Sequence, residues 1–122
     1  MFILVVEPQK EPQLKEITDD LQEMQAIVGG LIQIMYPFPE EVALVCNDEG
    51  KLLGLPLNRG LRDENGNLYD IVSGTFFLCG APVDSDSFTS LTLEQIEKFE
   101  RRFRTPEIFI STAEQIVSIP VK

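Results

Sequence analysis

The segment GLPLNRGLRDENGNLYDIVSGTFFLCG, Gly54–Gly80, decides how this chain is read. Its second half, Tyr69–Gly80, is dense in β-branched and aromatic residues and predicts one buried strand, with Gly74 marking a bulge or a close backbone contact. Its first half, Pro56–Asn67, mixes Gly, Asn and charges and predicts an irregular connection, with a turn at Asn65–Gly66. That half carries Arg59 and Arg62, the only basic residues between Leu52 and Glu97. The two guanidiniums either form a binding site or neutralise neighbouring carboxylates.

Upstream, Val42–Cys46 and Lys51–Leu55 are short strand-like runs joined through Gly50, and they predict a hairpin. Leu31–Tyr36 has strand character up to Pro37. Ile17, Leu21, Met24 and Val28 recur at helical spacing, with Thr18 as the expected cap, Asp19 and Asp20 at the positive end and Gly29–Gly30 as the stop. Phe2–Val6 is continuously apolar, as a strand buried on both faces requires. The EPQKEPQ stretch after it, with two prolines, is a loop or an extended edge.

Downstream, APVDSDSF is loop. A second helix opens on a capping box, Thr92 with Gln95, and Leu91 and Ile96 stand in staple positions. Leu93, Ile96, Phe99 and Phe103 predict its buried face, and Glu94–Lys98, Glu97–Arg101 and Glu100–Arg104 are favourable i,i+4 pairs. Glu107–Ile110 predicts a strand, and the chain beyond it is either a short helix capped at Ser111 or another strand. The predicted fold is α+β, a small mixed sheet of about four to six strands with two helices in the order β-α-β-β-β-β-α and a C-terminal tail. One domain over 1–122 is expected, with 106–122 as an extension.

The chain holds 20 acidic and 10 basic residues, a net charge of −10, and no histidine. Eight acids and no base lie between Glu16 and Gly50. Direct nucleic-acid binding is not expected, because phosphates call for Lys and Arg clusters. An acidic surface could instead engage a basic protein. Without histidine, the usual general base, the Ser/His and Cys/His pairs and histidine-bearing metal sites are excluded. Cys46 and Cys79 sit in apolar runs and predict buried reduced thiols; a redox pair would need their Cα atoms about 6 Å apart. No metal and no cofactor is expected. Asp63, Asn65 and Asn67 imitate the start of a calcium loop, but Gly66 falls at the wrong position and Gly74 stands where Glu is needed. No run is long and apolar enough to span a membrane, and the N-terminal run lacks the features of a signal peptide.

Asn58, Arg59, Arg62 and Asp63 remain as the candidate ligand-binding residues. An arginine fork can hold a carboxylate or phosphate through two hydrogen bonds. The alternative is that both arginines pair with Asp63, Glu64 or Asp70 and pin the segment to the sheet. The basic run ERRFR, Glu100–Arg104, is read as a complement to the helix dipole.

The LPLNR, DENG and DIVSGTFF segments, with the N-terminal strand, LQEMQAIVGGLIQIMYPF and FTSLTLEQIEKF, resemble the family of bacterial and phage proteins designated domain of unknown function 3846, over about residues 1–103. The resemblance implies a small stand-alone cytoplasmic domain of Gram-positive bacteria, phages and mobile elements. It implies no catalytic residue. The expected function is a non-enzymatic module binding a protein or a small anionic ligand. The alternatives are an acidic inhibitor of a host nuclease or defence protein, and an enzyme. Exposed strand edges leave a dimer open.

Overall fold

The computed structural model describes residues 1–121, with two helices and nine strands in an α+β arrangement. In chain order they are β1 (Phe2–Val6), β2 (Gln13–Glu16), α1 (Leu21–Val28), β3 (Ile32–Met35), β4 (Val42–Asn47), β5 (Leu57–Arg62), β6 (Leu68–Ser73), β7 (Phe76–Gly80), α2 (Leu93–Phe103), β8 (Glu107–Ser111) and β9 (Ile116–Pro120). Five strands form the main sheet in the order β2-β1-β7-β4-β3, while β5–β6 and β8–β9 are separate two-stranded ribbons. Every pairing is antiparallel, so the expected mixed sheet is corrected, as are the strand count and the element order.

The register explains the core. Leu4, Leu78 and Leu44 align across β1, β7 and β4, and beside them Val5, Phe77 and Val45 align with the opposite orientation. The leucine row joins Val6, Val42, Phe76, Phe99 and Phe103 in a cluster under α2 that also takes in Leu61 and Val72 from the β5–β6 ribbon. The other face packs Ile3, Ala43, Val45, Phe77 and Cys79 against Met24 and Val28 of α1. The central strands are therefore covered on both sides, which is why FILVV and VALVC read as unbroken apolar runs. Each fully buried aliphatic or aromatic side chain contributes roughly 1.5–3 kcal/mol. Cys46 and Cys79 fall in opposite clusters, with the sheet between them, and both are free thiols.

Several local expectations are corrected. Residues 51–54 form turns rather than a strand, with Leu52 and Leu53 exposed, because β4 takes β3 and β7 as partners. Gly50 is needed for space: a Cβ there would lie 2.8 Å from the Ser73 carbonyl oxygen. Pro56–Asn67 is no irregular connection, since it contains β5 and the tight turn into β6. The single strand expected at Tyr69–Gly80 is two, broken at Gly74, whose φ of 82° sends β7 out of the ribbon and into the main sheet. A Cβ at Gly74 would also meet the Leu55 side chain at 2.8 Å.

The α1 cap is Asp20, whose carboxylate accepts from the Gln22 N–H, while the Thr18 N–H donates to Glu23. The Gly29 stop holds, in a left-handed conformation. In α2 the Thr92–Gln95 capping box forms, and Leu91, Phe99 and Phe103 are buried. Leu93 is instead 82% exposed, since it lies in the first turn, off the Ile96–Phe99–Phe103 stripe. Of the three expected ion pairs only Glu100–Arg104 forms; Lys98 turns to Glu40. Of the two alternatives after Ser111 the strand forms, as β9 over Ile116–Pro120, paired along all of β8. Among the described residues no helix is long and apolar enough to cross a membrane.

Candidate functional site

β5 and the turn that follows it bring the four candidate residues to three different environments. Asn58 is 0% exposed, and its side-chain amide donates to the carbonyls of Val6 and Gly74, both at 2.9 Å. It thereby ties the ribbon to β1 and to the corner preceding β7. Its oxygen accepts from Arg59 Nη1 at 2.8 Å. Arg59 is 1% exposed, a burial that arginine tolerates only when its fork is occupied. Nε and Nη2 both donate to the Phe103 carbonyl at the end of α2, at 3.1 and 2.9 Å, and Nη2 also donates to the Lys10 carbonyl. Burial lowers its pKa below the usual guanidinium value, and the charge of Glu107 opposes that shift. Asn58 and Arg59 together form an internal clamp on β1, α2 and the loop at Lys10.

Arg62 turns the other way. It lies over Gly60, where an added Cβ would meet Leu68 at 2.4 Å and the Arg62 guanidinium at 3.1 Å. Gly60 is what lets the side chain fold back along the strand. Arg62 Nη2 donates to Glu107 Oε1 at 2.6 Å, so its carboxylate partner is neither Asp63, Glu64 nor Asp70, as the pairing alternative required. Asp70 pairs with Lys51 instead. Glu107, from β8, also accepts from the Gly60 N–H and from the Ser118 hydroxyl. Burial works against ionisation of this carboxyl, but the hydrogen bonds from Arg62, Ser118 and Gly60 outweigh it and hold its pKa below the usual value. Asp63 is exposed at the turn, where its Oδ1 accepts from the N–H groups of Asn65 and Asn67 while Gly66 takes a φ of 83°.

A second guanidinium completes a site that sequence reasoning missed. Arg102 of α2 and Arg62 line one open groove of about 410 Å³, together with Gly60, Asp63, Glu64, Phe103 and Glu107. The Arg102 guanidinium lies 4.9 Å from the centroid of the Phe38 ring and 5.7 Å from that of Phe103. Among the described residues no carboxylate stands within ion-pairing distance of it. Burial lowers its pKa, and the Arg62 charge adds to that while Tyr69 acts against it. Only Arg62 and Asp63 of the four predicted residues reach this groove. The missed signal was positional: Arg102 is three residues beyond Phe99, at the border of the apolar face of α2.

The acids of Glu16–Gly50 divide into separate groups. Glu16, Asp19, Asp20 and Glu23 lie near β2 and the start of α1, Glu40 and Glu41 precede β4, and Asp48 and Glu49 follow it. Several are engaged locally: Glu40 with Lys98, Glu41 with the Val83 N–H, and Asp20 and Glu23 around the α1 cap. Among the described residues no three Cys, Asp or Glu side chains are grouped to hold a metal ion.

Residues 1–104 match the family described as domain of unknown function (DUF3846), and the chain belongs to that family. The β8–β9 ribbon, which supplies Glu107, lies beyond the matched region. No curated protein and no solved structure shows a significant match to the chain.

Proposed function

We propose that this family member is a small non-enzymatic binding module whose recognition point is the Arg62–Arg102 groove, and that its ligand presents an oxyanion, a carboxylate or a phosphate. The observation that carries this is Arg102. In a chain with twice as many acids as bases, one guanidinium lies over an aromatic ring beside another guanidinium and has no carboxylate partner among the described residues. Arg62 is already paired with Glu107, and Asp63 and Glu64 line the same groove, so an arriving anion would fill the open fork of Arg102 in competition with these carboxylates. The ring fixes the guanidinium in advance, so less side-chain entropy is lost on binding. The cytoplasmic setting proposed for the module rests on the family resemblance.

An acidic surface engaging a basic nuclease or defence protein draws less support, because its carboxylates are divided among separate places and partly used for capping and local pairing. The test of the groove is a titration with inorganic phosphate and, separately, with a short Glu-rich peptide, followed through the arginine Nε–H resonances. Binding should move the Arg62 and Arg102 signals together, and Arg102→Gln should weaken it at least about tenfold, equivalent to about 1.4 kcal/mol. Resonances that stay still at millimolar ligand, or equal binding by Arg102→Gln, would overturn the proposal.

A further inference from the structure

The main sheet ends in two edges of different character. On one side β2 carries Lys15 and Glu16 and is entered through Pro8 and Pro12, the charged and proline-guarded edge by which proteins prevent unwanted pairing. On the other side, β3 and its flanks, Leu31–Phe38, hold no charged residue, and Leu31, Ile34 and Tyr36 are exposed. Antiparallel pairing decides which backbone groups of β3 are used. The Asp48 N–H donates to the Leu31 carbonyl at 2.8 Å, so positions 31, 33 and 35 turn their groups toward β4. Ile32 and Ile34 then turn their N–H and C=O groups outward, and among the described residues no strand, loop or side chain pairs with them.

Charge selects the occupant. At one end of this edge stand the exposed Asp48 and Glu49; at the other are the exposed Glu41, which accepts from the Val83 N–H, and Glu40, which is paired with Lys98, and no basic residue lies between Glu16 and Gly50 in the chain. A second copy pairing through its own β3 would bring acidic ends against acidic ends, which disfavours it. A segment with an uncharged, β-forming centre and basic ends meets both features, with main-chain hydrogen bonds for affinity and the flanking carboxylates for polarity. We propose that the free edge of β3 is a strand-addition site for such an extended segment of a partner protein. It is separate from the Arg62–Arg102 groove and does not depend on it.

The probe is a synthetic peptide of alternating Thr and Val with Lys at both ends, tested against the same sequence N-methylated at alternate residues. Side chains and charge are equal in the two, and only the main-chain donors differ. The unmodified peptide should slow amide exchange at Ile32 and Ile34 by at least about tenfold, and the N-methylated one should bind at least about tenfold more weakly. Ile34→Pro deletes an outward N–H and leaves the β3–β4 bonds in place, so it should abolish binding. If that variant fails to fold, the two peptides on the unaltered protein decide. Equal binding of the two peptides, or equal binding of a version with Glu at both ends, would overturn the proposal. So would protection of Ile32 and Ile34 that appears without peptide and grows with protein concentration, because a second copy would then be the occupant.

Discussion

Replacing Arg59 by Ala should be among the most damaging single changes available outside the apolar core. Its fork serves the Phe103 carbonyl twice, the Asn58 side-chain oxygen and the Lys10 carbonyl. Lys10 is exposed and its carbonyl can turn to water, but Asn58 and Phe103 are buried, so two acceptors are stranded. A buried acceptor left without a donor costs about 1–3 kcal/mol, and the end of α2 also loses the cation facing its negative pole. The expected loss is therefore about 3–5 kcal/mol, a large part of the ~5–15 kcal/mol typical of a domain. Arg59→Lys should recover only part of it, because one ammonium cannot meet three acceptors in that geometry. Arg62→Ala should cost less, about 1–2 kcal/mol, since its pair with Glu107 is partly solvated. Equilibrium denaturation by urea with linear extrapolation measures all three. Arg59→Ala within about 1 kcal/mol of the unaltered protein, or no worse than Arg62→Ala, would refute the clamp.

Two further outcomes rest on the same geometry. The Glu107 carboxyl has a folded-state pKa below its ordinary 4.5, so its ionised form stabilises the fold above that value and the contribution is lost as pH falls through the folded pKa. Glu107→Gln should thus be clearly less stable at neutral pH, with the gap closing in acid; a gap that is constant with pH would contradict the assignment. Burial pushes the Cys46 thiol up to about 11 and the Cys79 thiol up to about 12, so iodoacetamide at about pH 8 should modify neither until the protein is unfolded. Rapid alkylation of either in the native protein, read by mass, would show that the cores are open.

Legibility tracked sequence distance. The α2 capping box, the Gly29 stop and the Asn65–Gly66 turn rest on residues a few positions apart, and side-chain chemistry at that range announces itself. The β5 strand did not, although the turn between it and β6 was recognised. A hairpin was in fact signalled there, with Leu61 and Leu68 flanking the Asp63–Asn67 turn. What hid it was the burial of Asn58 and Arg59, which inverts the apolar alternation by which a strand is recognised. Their partners lie far along the chain: Arg59 meets Phe103 across 44 residues, and Arg62 meets Glu107 across 45.

The same inversion governs the candidate site. Arg59 stood with Arg62 in an acidic, turn-rich stretch and looked like either part of a ligand site or the partner of a nearby carboxylate, yet the fold occupies its fork with two backbone carbonyls and the Asn58 side-chain oxygen. Arg102 stood in a basic run at a helix end and looked like dipole compensation, yet its guanidinium lies over Phe38 with no carboxylate partner among the described residues. Residue type and local charge density cannot separate these cases, because both arginines are equally capable donors. What separates them is whether a backbone acceptor arrives from elsewhere. For Arg59 the end of α2 delivers the Phe103 carbonyl; for Arg102, one residue earlier on the same helix, the groove is left open. The proposed binding capacity rests on the guanidinium that, among the described residues, the tertiary structure orients without neutralising.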